Sequence, residues 1–393
     1  MPITRRRKVT FVTYHNWQTK RHGGFHQFAD YFSKNGYDVI FFSFSRPYYT
    51  VFKREERQNA RVLKSLIKGE LYNNEGGQIL NITWPTLALP GFMRKYLPGF
   101  INKWLMTHSF ISFSKIHKKW LSGTSCFVFE SCDAVFLLDL IKRYNPKAKI
   151  VYRPSDPIVD LPSEDYLIEA ERKMLLAADL TILVNEESRE LYHTKFGQSY
   201  NDRKAVVIPN GVDVEAYLKH YDCPEVLDYP KTALYVGVFA VDWTLLKEAA
   251  LSLPDIRFVI VNPNIPSNSD EKIINSVDNL YYVPGINPTE VPKWVTNASI
   301  IIQPFPKDNI FSRRIGLSLT AMHYKSIAAN KPIIAHMVKK SMENYGLCVT
   351  ETTEEFIEAV KRGIDVKVKK YNYDVRINDW TQLCERFKAE VEK

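Results

Sequence analysis

The segment Ile208-Pro209-Asn210-Gly211-Val212-Asp213 divides the sequence into two halves that repeat one pattern. It is a short apolar run followed by turn-forming residues, and β-rich runs alternate with helical periodicity on both sides of it. This alternation predicts parallel sheets joined by right-handed helical crossovers. We therefore predict an α/β protein with two Rossmann-like domains that face each other across a cleft, where ligands bind at the carboxyl ends of the strands.

The predicted strands are short runs rich in β-branched and aromatic residues. In the first half they cover residues 9–14, 39–44, 79–84, 126–130, 150–152, 180–184 and 206–209. In the second half they cover residues 233–238, 258–262, 280–283, 300–304, 332–335 and 347–349. The pattern predicts a first domain over residues 1–212, a second over 213–372, and a terminal helix within 373–393.

The formal net charge of +9 is concentrated in the first part of the chain. Residues 1–120 contain 20 Lys and Arg against 6 Asp and Glu, whereas residues 211–393 contain 22 against 24. No acidic residue lies between Gly76 and Phe129. Basic and aromatic residues alternate there: Phe92, Arg94, Lys95, Tyr96, Phe100, Lys103, Trp104, Phe110, Phe113, Lys115, Lys118, Lys119 and Trp120.

Basic residues with interfacial aromatics and no acids are typical of a surface that meets anionic lipid headgroups. A solvated helical face with ordinary core aromatics is the alternative. No nucleic-acid-binding signature accompanies the basic window, so we expect no nucleic-acid partner. No apolar run approaches the ~18 residues of a spanning helix. The apolar run at residues 9–14 is too short for a signal peptide. We therefore expect a peripheral protein on the cytoplasmic face of the plasma membrane.

The five cysteines are odd in number and have no metal-binding spacing, so we expect reduced thiols and no metal. The sequence also lacks GxGxxG and GxxxxGK[ST], which argues against dinucleotide redox chemistry and ATP hydrolysis.

Two acidic residues follow predicted strands in the first half. Tyr152-Arg153-Pro154-Ser155-Asp156 ends a strand and presents a carboxylate on a loop, where Asp156 could accept a proton from an attacking hydroxyl. A helix N-cap is the alternative role for such an Asp. Glu130 ends another strand, and it could orient an acceptor or pair with Arg153.

Small residues follow the first predicted strand of each half. Gly23 and Gly24 would let the backbone approach a ligand at a helix N-terminus, although a plain turn explains them equally well. Gly237, with Phe239 two residues later, occupies the matching place in the second half and leaves room for a nucleotide.

The second half also contains a basic stretch with Lys307, Arg313, Arg314, His323 and Lys325. These cations suit a diphosphate or a sugar carboxylate, and a solvated basic face is the alternative. After the third strand of this half, Gly285-Ile286-Asn287 could offer backbone groups to a base, with Ile286 itself expected in the core.

Residues 127–156 carry a family resemblance. Val128-Phe129-Glu130-Ser131, Lys142-Arg143, Asn145-Pro146, Val151-Tyr152-Arg153 and Ser155-Asp156 resemble the xanthan-pathway glucuronosyltransferase (GumK) family of inverting GT-B glycosyltransferases nearly position by position. Asn210-Gly211-Val212-Asp213 resembles an interdomain motif that many GT-B enzymes share.

The resemblance implies a GT-B fold whose C-terminal helix packs back toward the first domain. It implies transfer of glucuronate from a UDP-sugar to a polyprenyl-diphosphate-linked oligosaccharide at a membrane, with Asp156 as catalytic base and without a metal or other cofactor. From the strand ends and glycines described above, we expect acceptor contacts from Gly23, Gly24, Glu130 and Arg153. Donor contacts would come from Gly237, Phe239, Ile286, Asn287, Phe305, Arg313, Met322, His323 and Lys325.

This chain departs from the family pattern in its donor half. A family Tyr is Phe305 here, and His323 or Lys325 would supply the cation of a family Met-Lys pair. A retaining transferase, a UDP-sugar epimerase and a non-catalytic binder of anionic lipid or polymer remain alternatives.

Overall fold

The computed structural model describes residues 7–19, 22–49, 68–74, 77–307 and 318–393. The chain forms two compact units. The first contains residues 1–209 together with 384–393, and the second contains residues 210–383. The first crossing between units thus follows Pro209, three residues before the predicted boundary, and the second lies inside the terminal helix.

The first unit is built on an eight-stranded sheet with the order β3-β4-β2-β1-β5-β6-β7-β8. Its strands are β1 (Lys8–Thr13), β2 (Asp38–Pro47), β3 (Glu70–Asn74), β4 (Gly77–Thr86), β5 (Thr124–Glu130), β6 (Lys149–Arg153), β7 (Leu180–Leu183) and β8 (Ala205–Val207). All neighbouring pairs are parallel except β3 and β4. The central strands are buried, as expected for a parallel sheet with both faces covered.

Helices connect these strands. They are α1 (Gly24–Lys34), α2 (Gly91–Arg94), α3 (Gly99–Thr107), α4 (Phe113–Ile116), α5 (Leu138–Tyr144), α6 (Asp165–Ala177) and α7 (Glu186–Phe196). A 3₁₀ segment, Asp133–Leu137, leads directly into α5. Asn185 caps α7 by accepting a hydrogen bond from the Ser188 amide at 2.9 Å, which fixes where that helix begins.

The second unit is a six-stranded parallel sheet with the order β11-β10-β9-β12-β13-β14. Its strands are β9 (Thr232–Val236), β10 (Arg257–Val261), β11 (Leu280–Val283), β12 (Ile300–Pro304), β13 (Ile333–His336) and β14 (Cys348–Thr350). Its helices are α8 (Trp243–Ser252), α9 (Asn268–Ile274), α10 (Val291–Asn297), α11 (Ala321–Ala328) and α12 (Thr353–Gly363).

The terminal helix α13 (Trp380–Glu392) begins in the second unit and ends in the first. Within the first unit, the Phe387 ring stacks on Phe28 with ring centroids 4.0 Å apart. Lys149 Nζ donates to the carbonyls of Glu390 at 3.2 Å and Val391 at 2.9 Å. A cation thus meets the carbonyls at the end of the helix, where the helix dipole favours it.

Each predicted strand corresponds to a strand of the structure, and the α/β fold with two Rossmann-like sheets is confirmed. One strand was not predicted: β3, an antiparallel edge strand with the polar sequence ELYNN. All five cysteines are free. No helix in the described part of the chain is long and apolar enough to cross a membrane.

Candidate active site

Three adjacent strands of the first unit end at Thr13, Glu130 and Arg153. Because β1, β5 and β6 are parallel neighbours, their carboxyl ends meet at one edge of the sheet, and Glu130 lies in register with Arg153. This edge is where ligands bind in open α/β sheets. The structure therefore brings two of the predicted acceptor-binding residues together.

Glu130 is buried and receives hydrogen bonds from two hydroxyl groups. Thr13 Oγ1 donates to one carboxylate oxygen, and Ser155 Oγ donates to the other at 3.0 Å. His15 Nε2 lies 3.9 Å from Glu130 Oε1. Burial raises the pKa of Glu130, and the two hydroxyl donors and the Arg153 charge oppose that rise.

Arg153 has no exposed surface, and its guanidinium lies over the Phe28 ring, 4.9 Å from the centroid. Burial lowers its pKa to about 10, so it is still a cation at neutral pH. Because Glu130 and Arg153 are both buried, neither side chain is presented to an acceptor in this structure. We therefore correct the prediction that these two side chains contact an acceptor. Both instead support the loop that follows β6.

Asp156 is the exposed carboxylate of that loop. Its backbone amide donates to Ser131 Oγ at 3.3 Å, and the preceding Ser155 is tied to Glu130. A 3₁₀ turn, Ile158–Asp160, follows, so Asp156 does not cap an α-helix. An exposed carboxylate on a loop held from below can accept a proton from a bound hydroxyl. The sequence does not identify Ser131 and Ser155 as site residues. Ser131 directly follows the end of β5, and Ser155 lies two residues beyond the end of β6.

Gly23 is the N-cap of α1, and Gly24 is its first residue. A Cβ at Gly23 would meet no atom within 4 Å, so the space before the helix is open. His26, two residues after Gly24 on α1, is buried, which lowers its pKa to about 3 and keeps the imidazole neutral. Contact between these glycines and an acceptor stays a prediction.

In the second unit, the loop after β9 is held by side chains from neighbouring strands. Asn262 Nδ2 donates to the Phe239 carbonyl at 2.8 Å, and Tyr235 Oη donates to the same carbonyl at 3.3 Å. Asn264 Nδ2 donates to the Val238 carbonyl at 2.7 Å. A Cβ at Gly237 would collide with the Tyr235 ring, so this turn requires glycine.

The segment after β11 reaches the same edge of this sheet. Gly285 has a φ of +77°, a left-handed conformation that favours glycine. Ile286 is half-buried and packs against the core, as expected. Asn287 is exposed, and its Oδ1 accepts from the Thr289 amide at 3.2 Å in a capping box with Glu290.

Two residues that the sequence analysis assigns to the donor site are buried, which corrects that assignment. Phe305 is 2% exposed and packs edge-on against Tyr235 and Phe239, so it belongs to the core. His323 is fully buried, accepts from the Thr320 amide at 3.1 Å, and lies 2.9 Å from Gln303 Oε1. Burial lowers the pKa of His323 to about 3, so it cannot supply a cation.

Met322 and Lys325 are half-buried on α11, and their donor contacts stay predictions. Arg313 and Arg314 lie outside the described residues. In the ranges that the structure describes, no three His, Cys, Asp or Glu side chains form a group that could hold a metal ion.

Residues 11–184 match the family described as glucuronosyltransferase GumK, N-terminal domain. The match covers β1 to β7 and includes Glu130, Arg153 and Asp156. The first half of the chain therefore resembles the N-terminal domain of GumK-like glycosyltransferases. Its GumK-type domain is thus the one that carries the exposed carboxylate.

A glycosyltransferase relative matches part of the chain. The chain is 23% identical to TuaH of Bacillus subtilis (strain 168), a protein assigned to teichuronic acid biosynthesis as a glycosyltransferase. The alignment covers 55% of this chain and 59% of that protein. The chain therefore matches less than two thirds of the length of this relative.

Solved structures confirm the GT-B fold over nearly the whole chain. Sucrose-phosphate synthase from Thermosynechococcus elongatus is 13% identical, with a TM-score of 0.60 over 98% of this chain and 94% of that one. OtsA is 11% identical, with a TM-score of 0.64 over 98% and 99%. Anabaena HepE in complex with UDP-glucose is 10% identical, with a TM-score of 0.56 over 98% and 99%.

Proposed function

We propose that this protein transfers glucuronate from UDP-glucuronate to a polyprenyl-diphosphate-linked oligosaccharide, with inversion at the anomeric carbon. The observation that carries the proposal is Asp156, an exposed carboxylate at a strand end inside the GumK-type domain. The acceptor hydroxyl would lose its proton to Asp156 while its oxygen attacks the anomeric carbon, and UDP would leave from the opposite face. A positioned base of this kind contributes roughly 100- to 10,000-fold.

The donor assignment draws on the second unit and its structural relatives. HepE has been solved with UDP and with UDP-glucose, which supports a uridine nucleotide as the ligand of the corresponding sheet here. The turn at Gly237 is tightly held, as a nucleotide-binding loop needs to be. Developing negative charge on the leaving UDP would be stabilised by the Lys325 side chain and by backbone amides. No metal or other cofactor is part of the proposal.

The acceptor is proposed to be membrane-linked because of the aromatic surface, defined as Phe92, Tyr96, Phe100, Trp104 and Phe110. These side chains are 51% to 80% exposed. Helix α3 differs from an ordinary surface helix, since it buries Asn102 beside Met106 and exposes the rings of Phe100 and Trp104. Large exposed apolar patches mark interaction sites, and aromatic rings suit the headgroup boundary of a bilayer.

The fold gives this surface a rigid base. Asn102 Nδ2 donates to the carbonyls of Arg94 at 2.8 Å and Leu97 at 3.1 Å, which joins the helices α2 and α3. A Cβ at Gly99 would lie 3.1 Å from the Tyr166 ring, so α3 packs closely on α6. The aromatic side chains are therefore presented by packed elements.

Cations accompany the aromatic surface. Lys95 is exposed and lies over the Tyr96 ring, 4.9 Å from its centroid. Lys115, Lys118 and Lys119 are also exposed. Phe113, by contrast, is buried against Trp84 and is not part of the surface. Each cation near an anionic membrane contributes about 1 kcal/mol, and we propose peripheral attachment to the cytoplasmic face of the plasma membrane.

The test is a donor and product assay with the full chain. Release of the nucleoside diphosphate is measured with UDP-glucuronate, UDP-glucose, UDP-N-acetylglucosamine and GDP-mannose, each with short-chain polyprenyl-diphosphate oligosaccharides as acceptors. The proposal expects the highest rate with UDP-glucuronate and a β-linked product by anomeric NMR. An α-linked product would identify a retaining transferase, and no turnover with any donor would favour the non-catalytic alternative.

A further inference from the structure

Glu171 on helix α6 is a fully buried carboxylate with four hydrogen-bond donors around it. Its Oε1 accepts from Tyr152 Oη at 2.7 Å, from Tyr192 Oη at 2.7 Å and from the Ile158 amide at 2.9 Å. Its Oε2 accepts from the Val159 amide at 2.8 Å. Neither the family match nor the sequence pattern singles this residue out.

A carboxylate is costly to bury unless hydrogen bonds compensate for the lost water. Burial raises the pKa of Glu171, and the hydrogen bonds from two tyrosines and two backbone amides oppose that rise. All four neighbours are donors, so the site fits an acceptor-only group. This arrangement ties helix α6 to Tyr152 of β6, to Tyr192 of helix α7 and to the loop after β6 through one side chain.

The loop in question carries Asp156. Ile158 and Val159 lie two and three residues beyond Asp156, and their amides are fixed by Glu171. On the other side, Ser155 Oγ donates to Glu130, and the Asp156 amide donates to Ser131. Two buried carboxylates therefore hold the short loop at its two ends, with the exposed carboxylate between them.

We propose that Glu171 is a positioning residue that fixes the loop carrying Asp156, so that this carboxylate is held in place for proton abstraction. The inference rests on the proposed function of Asp156. Glu171 has no exposed surface and touches neither donor nor acceptor, and it acts only through the backbone of residues 158 and 159. Misplacement of a reacting group by about 1 Å costs on the order of 100-fold in rate.

The decisive variant is Glu171→Gln, which keeps the size of the side chain and turns an amide NH₂ toward a group that also donates. We expect kcat to fall about 10- to 100-fold while the KM for UDP-glucuronate changes less than about twofold. The matched control is Glu169→Gln, two residues away on the same helix. It removes an exposed ion pair with Arg172 and should leave kcat unchanged.

A double variant separates positioning from general loss of structure. If Glu171 acts through Asp156, then Glu171→Gln should have no further effect on kcat in the Asp156→Asn background. A merely structural role would lower kcat by the same factor in both backgrounds. Full turnover of Asp156→Asn alone would refute the proposed base. Full turnover of Glu171→Gln beside an impaired Asp156→Asn would refute the positioning role only.

A second measurement does not depend on activity, and its first part needs only the native chain. Hydrogen exchange of the native chain should show slow exchange at the Ile158 and Val159 amides. In Glu171→Gln, exchange should increase in a peptide covering residues 156–160 and stay unchanged in α1. Fast exchange of both amides in the native chain would overturn the inference.

Discussion

The Trp380 indole packs directly on the Cα of Gly211. A Cβ at Gly211 would lie 2.7 Å from Trp380 Cδ2 and 2.9 Å from the Asn378 carbonyl oxygen. The Val212 amide donates to that same carbonyl at 2.9 Å, and the Trp380 amide donates to the Val212 carbonyl at 3.1 Å. The glycine of the interdomain motif is therefore explained by close backbone approach, because the two segments next to the chain crossings are hydrogen-bonded to each other.

Gly211→Ala should destabilise the second unit by about 1–3 kcal/mol, the usual cost of forcing a methyl group into a packed site. Urea denaturation followed by tryptophan fluorescence measures the change. Gly91→Ala is the control, because a Cβ there would meet no atom within 4 Å. Equal stability of the two variants would show that the Trp380 contact relaxes at no cost.

Asp156→Asn should fold normally, bind UDP with native affinity and lose at least ~100-fold in turnover, since an amide cannot accept the hydroxyl proton. Steady-state kinetics and calorimetric titration with UDP separate the two effects. Asp160→Asn, a few residues along the same loop, is the matched control and should retain native turnover. Near-native turnover of Asp156→Asn would remove this residue from the mechanism.

The fold was readable from the sequence because strands buried on both faces of a parallel sheet are continuous apolar runs. The run Phe258-Val259-Ile260-Val261 is fully buried, for example. The sequence did not predict the edge strand β3, because its composition is polar and β4 is its only sheet neighbour among the described residues. The formation of such a strand is decided by pairing, which local composition does not encode.

The site was only partly readable, for a related reason. Asp156 could be located because a strand end followed by Pro-Ser-Asp predicts an exposed loop. Phe305 and His323 were misassigned because exposure depends on tertiary packing, and both side chains point into a core. Glu171 was missed because its partners on the Asp156 loop lie 12 and 13 residues earlier in the chain.

Lys325→Ala should raise the KM for the UDP-sugar about 10-fold or more, because charge-assisted hydrogen bonds contribute roughly 1.5–3 kcal/mol. Initial rates at varied donor concentration measure the effect. Lys361→Ala, an exposed lysine on α12 of the same unit, serves as the control. Native donor KM and native UDP affinity in Lys325→Ala would exclude this side chain from the donor site.

The free energy of unfolding should decrease as pH falls, and His323 should account for part of that decrease. Its pKa is about 3 in the folded chain against an ordinary value of 6.5, so below pH 6.5 the unfolded chain binds a proton that the folded chain does not. The contribution of His323 to the free energy of unfolding therefore decreases by about 1.4 kcal/mol per pH unit as pH falls below 6.5. Urea denaturation between pH 7 and pH 4.5 measures the slope.

His323→Gln removes this titrating group. The variant should be less stable than the native chain at pH 7, and the difference should shrink as pH falls. A difference that stays constant from pH 7 to pH 4.5 would mean that His323 is not neutral in the folded protein.

Replacement of Phe100 and Trp104 by Ser should weaken binding to anionic vesicles at least ~10-fold, because two exposed rings would no longer be buried at the headgroup boundary. Replacement of Lys115, Lys118 and Lys119 by Glu should also weaken binding. Salt should weaken the contribution of the lysines to binding, because charge interactions are screened over ~8 Å at physiological ionic strength. The contribution of the aromatic rings should persist in salt. Co-sedimentation with phosphatidylglycerol vesicles at two salt concentrations separates the two.

The control for the aromatic variant is Leu251→Ser with Val368→Ser, which removes two exposed apolar side chains from the second unit. These changes should leave vesicle binding intact, because neither residue is part of the aromatic surface. UDP binding should be native in the aromatic and lysine variants, since the donor-site residues lie in the other unit. Equal binding of the native chain to neutral and anionic vesicles would contradict the role of the lysines. No binding to either would mean that this face is only solvated surface.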